Sequence, residues 1–193
     1  MTAQAAKKRG TSTTVREAGP FFLGLDAGNT VVKAVLFDAA GQQLAWHGVD
    51  GATHKPGPGM VERSVQELWE NARAAIAGCI GRAGVDPRAI AAIGTAGHGN
   101  GLYLLDREGQ ALIGIQSLDT RAARVADELD AQIGSAAHSI CLQRPWPSQT
   151  PVLLAWVKRN RPDLYARAAT VLFAKDVLTW QLTGRRVAEL SDM

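Results

Sequence analysis

Apolar and polar positions change their period twice along this chain. From residue 21 to residue 49 they form three short apolar runs, 21–25, 31–37 and 43–49. The connections are five residues (Asp26, Ala27, Gly28, Asn29, Thr30) and a turn ending at Gly41. Runs joined so briefly predict three antiparallel strands, because parallel neighbours need a long crossover. After a loop over residues 51–60, rich in Gly and Pro, the period lengthens. Val65, Leu68, Trp69, Ala72, Ile76 and Ile80 recur at helical spacing and predict one amphipathic helix over 62–83, with Ser64 and Glu67 as a capping box and Gly84 and Pro87 as its stop. The short period then returns. Residues 90–95 (IAAIGT) read as a buried strand at crossover distance, hence parallel to an earlier one. A Gly-rich turn over 96–101 leads to strands at 102–105 and 111–115. Helices follow at 120–133, 152–160, 164–168 and 176–182, with an irregular loop over 134–151 and a strand at 170–173.

Composition changes this picture little. The chain has 193 residues, 46% hydrophobic and 20% charged, as expected of one globular domain with a substantial core. The net charge is +3, and much of the excess sits at Lys7, Lys8, Arg9 and Arg16 in a segment, 1–19, expected to be a disordered tail. Basic residues do not cluster with aromatics, so no nucleic-acid surface is expected. No apolar run approaches a membrane span, and no secretory signal opens the chain. Cys79 and Cys141 lack metal-ligand spacing and read as free core thiols of a cytoplasmic protein.

Three segments carry chemistry. In the first, Asp26, Gly28, Asn29, Thr30 and Lys33 bring a carboxylate, backbone N–H groups, a hydroxyl and a cation within eight residues. Such a turn can cradle a nucleotide phosphate, with Asp26 holding Mg²⁺ through water. The same residues would also make a plain hairpin with a surface Asp and Lys. There is no P-loop and no G-x-G-x-x-G between strand and helix. In the second, Gly94, Gly97, Gly99 and Gly101 leave His98 and Asn100 as the sizeable polar side chains of the turn, where they could bond a sugar diol or simply face solvent. In the third, Asp119 could cap the helix that follows or accept from a polyol. Arg121 sits in a first helical turn, disfavoured for a cation, and so suggests a carboxylate partner. Trp69, Trp156 and Trp180 read as core, and Asp176 as the cap of the last helix. Trp146, between two prolines, is a candidate wall for a sugar ring.

In this order, GLDAGNTVVKAVLFD, IAAIGTAGHGNGLYLLDREGQAL, SLDTRA and LLAWVKRNRPDLYARAATVLFAKDVLTWQLTG resemble the N-terminal domain of the FGGY carbohydrate kinases over residues 21–193. GHGNGLYLLD and SLDTR look nearest to kinases of the L-xylulose and related ketopentose or polyol type. The resemblance implies an α/β, ribonuclease-H-like ATPase domain of the actin, Hsp70 and hexokinase superfamily, a mixed sheet opening with three antiparallel strands and flanked by helices. It implies ATP and Mg²⁺ as cofactors, met by Asp26, Gly28, Asn29, Thr30 and Lys33, and a pentulose or polyol met by His98, Gly99, Asn100 and Asp119. Three positions depart from the family pattern: Asn29 where Thr is common, Ser117 for the usual Trp, and Gly99-Asn100 for the Met-His turn of xylulokinases or the Arg-Glu turn of glycerol kinases. The family's catalytic base, its adenine-binding segment and its C-terminal domain are expected outside these 193 residues. The chain would then be inactive by itself, completed by a separately encoded half, or a non-catalytic sugar- or nucleotide-binding fragment. An actin- or Hsp70-like nucleotide switch fits the sugar-type turn less well.

Overall fold

The computed structural model describes residues 19–188. All but Gly19 of the expected N-terminal tail lies outside the described residues. The chain opens as β1 (Phe21–Ala27), β2 (Val31–Phe37) and β3 (Gln43–Asp50), antiparallel in sequence as the short connections require. Helix α1 (Val65–Ala83) crosses the sheet and returns the chain to β4 (Ile90–Gly97), which pairs parallel to β1, giving the order β3-β2-β1-β4. A second sheet, β6-β5-β7, is built from β5 (Leu102–Leu105), β6 (Ala111–Ile115) and β7 (Thr170–Leu172). Helices α2 (Ala123–Cys141), α3 (Thr150–Asn160), α4 (Pro162–Arg167) and α5 (Ala174–Thr183) complete the domain.

Strand β5 joins two cores. Tyr103 and Leu105 point into the first with Leu23, Leu25, Leu36, Leu68 and Val177, while Leu102 and Leu104 point into the second with Ile115, Val125 and Leu153. A strand covered on both faces reads as a continuous apolar run, which is why LYLL shows no alternation. Helix α1 starts three residues later than its apolar pattern suggests. The Ser64 hydroxyl accepts from Glu67 N (3.1 Å) and the Glu67 carboxylate accepts from Ser64 N (3.0 Å), the expected capping box, worth about 1 kcal/mol. Gly84 ends the helix in the left-handed region at φ 64°.

Several expectations need correction. Strand β4 is an edge strand with Ala91, Ala92 and Ile93 exposed, not a buried one. Helix α2 starts at Ala123 rather than at 120 and continues to Cys141, through half of the expected loop. Gly134, the first residue of the expected loop, lies inside the helix and leaves room for the Asp130–Arg144 ion pair (2.7 Å). Cys79 is buried as expected, but Cys141, on the extended end of α2, is exposed. Asp119 does not cap α2, whose first turn follows Ala122 with no side-chain cap. Asp176 caps α5 from within, accepting from Phe173 N at 3.0 Å. Trp69, Trp156 and Trp180 pack against the cores.

Candidate functional site

Parallel strands β1 and β4 end side by side, and a turn leaves each: Gly28–Thr30 from β1, His98–Gly101 from β4. His98 N donates to Ala27 O (3.1 Å), so the second turn is bonded to the residue of β1 from which the first turn leaves. Close approach of α5 depends on Gly97, where a side chain would press on Lys175 N, Ala174 and Ala27 at 3.1–3.3 Å. The carboxyl ends of parallel strands are where open α/β sheets take their ligands.

The first turn is held by its carbonyls. Arg63, wholly buried, donates from Nη1 to Gly28 O (3.0 Å), from Nη2 to Asn29 O and from Nε to Ala52 O (3.0 Å). Gln116 Nε2 also donates to Asn29 O (2.9 Å), and Gly51 N donates to Thr30 O (2.7 Å). A trans peptide points its C=O and N–H in opposite directions. The Gly28 and Asn29 carbonyls, bonded to the interior, therefore turn the N–H groups of Asn29 and Thr30 the other way, and the Gly28 N–H lies opposite the Ala27 carbonyl that accepts from His98 N. These three find no acceptor among the described residues. Half-buried Asp26 and exposed Lys33 sit opposite one another across β1 and β2, and neither makes an ion pair with a described residue. Among the described residues no group of three or more His, Cys, Asp or Glu could hold a metal ion. A cation here would have one carboxylate, that of Asp26, with water and phosphate oxygens as its other ligands, as suits Mg²⁺.

The second turn is polar and underbonded. Both ring nitrogens of His98 are buried without a partner. Burial, and after it the Arg63 charge, hold its pKa below the ordinary imidazole value, so the ring is neutral at pH 7. Asn100 occupies the left-handed region (φ 63°), which Asn tolerates, and Gly101 follows at φ 82°. At Gly99 a Cβ would meet nothing within 4 Å. Asn100 also borders a cleft of about 210 Å³ lined by Leu129, Ile133, Cys141, Gln149 and Phe173. Trp146 is 43% exposed on a loop tied to this turn through Gly101 N donating to Ser148 O (2.9 Å).

The third segment closes the network. The two departures at Asn29 and Ser117 touch: Asn29 Nδ2 donates to Ser117 Oγ (2.9 Å), leaving Asn29 Oδ1 buried and unpartnered. Asp119 is 1% exposed, and its oxygens accept from Val61 N (2.6 Å), Arg121 N (2.9 Å) and Arg121 Nε (2.9 Å). Arg121 bridges Asp119 (2.8 Å) and Glu62 (2.7 Å) and lies over the Trp156 ring (5.1 Å), so the expected carboxylate partner is present.

The structure thus brings Asp26, Gly28, Asn29, Thr30, Lys33, His98, Gly99 and Asn100 to one end of β1, β2 and β4. Asp119 lies two residues from Ser117, the partner of Asn29, and its carboxylate is already engaged by protein donors. The family model for the FGGY carbohydrate kinases, N-terminal domain, matches residues 21–193, the stretch that carries these turns. The chain belongs to that family. The FGGY domain is 32% identical over 175 residues to the L-xylulose/3-keto-L-gulonate kinase of Escherichia coli K12, covering 90% of this chain and 35% of that protein. Among solved structures it is similar to a xyloylose kinase from Brucella ovis (34% identity, TM-score 0.78, 85% of this chain and 34% of that one). It is also similar to the xylulose kinase from Rhodospirillum rubrum (27% identity, TM-score 0.81, 88% and 35%). The chain spans about a third of the length of these relatives. Among the described residues, no helix of the FGGY domain is long and apolar enough to cross a membrane.

Sequence reasoning missed Arg63 and Gln116 as parts of this site, and marked Ser117 only as a departure from the family pattern. A signal for Arg63 existed: it precedes the N-cap of α1, where the helix dipole disfavours a cation, the same argument that flagged Arg121. Gln116 carries no such mark.

Tyr103 yields a pH prediction. Its hydroxyl is buried without a partner, and burial pushes its pKa up to about 12. The folded state therefore favours the neutral phenol. Its contribution is fully present below the unfolded value of about 10 and is lost as pH rises towards 12, about 2–3 kcal/mol in all. Tyr103→Phe should leave stability at pH 7 unchanged or up to about 1 kcal/mol higher, because no hydrogen bond is lost. Denaturant melts at pH 7 and pH 11 test this. Equal alkaline losses in both proteins would refute it.

Proposed function

We propose that this chain forms the phosphate- and sugar-facing wall of a cytoplasmic, ATP-dependent carbohydrate kinase acting on a pentulose or polyol of the L-xylulose type. The observation that carries the reading is the pairing of the two turns at adjoining ends of β1 and β4, one offering free N–H groups and the other unpartnered ring nitrogens. In this reading the N–H groups of Gly28, Asn29 and Thr30 and the Thr30 hydroxyl take phosphate oxygens, and Lys33 offsets their charge. Asp26 would hold Mg²⁺, which supplies charge neutralisation at the phosphates when bound. His98, Gly99 and Asn100 orient the sugar, with Trp146 at its rim, and Asp119 supports that wall through Val61 and Arg121. The relatives named as xylulose or L-xylulose kinases support the substrate class.

The base that accepts the proton of the attacking hydroxyl is assigned to the part of the enzyme beyond this domain, on this chain or on a second one. By itself the 193-residue chain should bind ligands and release ADP only at background rate. Calorimetry with L-xylulose, D-xylulose, xylitol and erythritol, each with Mg²⁺–AMP-PNP present, tests the reading. Gly99→Leu should weaken the best sugar at least 10-fold while changing stability by less than about 0.5 kcal/mol, since a side chain there meets open space. Equal binding by the variant, or sugar-dependent ADP release by the chain that Asp26→Ala abolishes, would overturn the assignment.

A further inference from the structure

We propose that Arg63 is the positioning residue of the phosphate turn. Its guanidinium fixes the turn's carbonyls inward, so that the N–H groups face a ligand, and it places a fixed positive charge directly behind them. The inference deepens the reading of Gly28–Thr30 as an anion site and rests on it.

Three observations converge. Among the described residues Arg63 is the largest wholly buried side chain, and it forms no ion pair with any of them. A buried charge without a counter-ion is costly unless it is well bonded. Here the guanidinium fork bridges three carbonyls of two separate segments, Gly28 and Asn29 on the turn and Ala52 on the loop after β3. Lysine, a point charge on a flexible stem, cannot reproduce that geometry. The space it fills is reserved for it: a Cβ at Gly51 would collide with the guanidinium. Its field reaches the neighbouring turn as well, where it helps keep His98 neutral. An anion bound at the turn would be the missing counter-charge, separated from Arg63 by one layer of peptide groups whose dipoles point the same way.

The test uses the 193-residue chain, ¹⁵N-labelled, titrated with inorganic tripolyphosphate and with AMP-PNP. In the wild type the Gly28, Asn29 and Thr30 amide resonances should move and saturate. Arg63→Lys should shift the Asn29 and Thr30 amides already in the free protein and weaken tripolyphosphate at least 10-fold. Gln116→Leu removes the second donor to Asn29 O but no charge. It should weaken binding by about 3-fold and move the Thr30 amide, and it serves as the decisive variant if Arg63→Lys does not fold. Wild-type affinity with unmoved turn amides in the folded variants would overturn the role of Arg63 and leave the anion site standing. No movement of the three amides in the wild type would overturn the anion site and this inference together.

Discussion

Gly114→Ala should cost more than about 3 kcal/mol and lower the melting temperature by roughly 6–12 °C. Gly114 lies on β6 opposite Tyr103 of β5, and its carbonyl accepts from Arg63 N (3.1 Å). A Cβ would collide with the Arg63 carbonyl and stand 2.8 Å from the Tyr103 ring. Neither obstacle is the free end of a flexible side chain. One is backbone, and the other is a ring packed in the first core. Relief must come from moving the Arg63 backbone, which carries the guanidinium away from Gly28 O and Asn29 O. The destabilisation should therefore come with altered Asn29 and Thr30 amide resonances in whatever protein still folds. Gly81→Ala is the control. Gly81 is exposed within α1, has nothing within 4 Å of a Cβ, and should gain about 0.5–1 kcal/mol. Chemical denaturation of the three proteins decides the matter, and a Gly114→Ala variant as stable as the wild type would refute this account of the packing.

The contrast between these glycines shows what could be read from residues one at a time. The hairpins of β1, β2 and β3, the capping box of α1 and the parallel return of β4 rest on local chemistry and on connection length, and each follows from its own few residues. So does the first turn as a set of candidates: Asp26, Gly28, Asn29, Thr30 and Lys33 are neighbours in the chain before they are neighbours in space. What holds that turn is not local. Arg63 reaches it across 34 residues and Gln116 across 87, and neither distance leaves a periodic trace. Boundaries failed for a related reason. The helix expected to end at 133 runs on because Gly134 leaves room for Arg144 to pair with Asp130, and the apolar run of β4 resembles a covered strand until the sheet is found to end there. The mutual contact of Asn29 and Ser117, two separate departures from the family pattern, became visible only when both segments were placed.

Arg121→Met should be the most damaging single change in the sugar-side wall, at about 3–5 kcal/mol. The carboxylate of Asp119 is fully covered; the Arg121 guanidinium donates to it from Nε and pairs with it through Nη2, and its other donors are the backbone N–H groups of Val61 and Arg121. Removing the guanidinium leaves a buried anion with backbone donors only, and strips Glu62 and the Trp156 ring of their shared cation. If the cost comes from the uncompensated charge, Asp119→Asn placed on top of Arg121→Met should recover a substantial part of it, while Asp119→Asn by itself remains destabilising. If Asp119 instead mainly meets a sugar, Asp119→Asn should leave stability near wild type and abolish sugar binding. A double-mutant cycle by urea denaturation, paired with calorimetry against the sugar panel, separates the two. The buried geometry favours strong coupling between the two residues, on the order of 2 kcal/mol. Loss of sugar affinity should then track the loss of folded wall rather than a missing direct contact. A coupling near zero with undiminished stability of Asp119→Asn would return that carboxylate to the substrate side of the cleft.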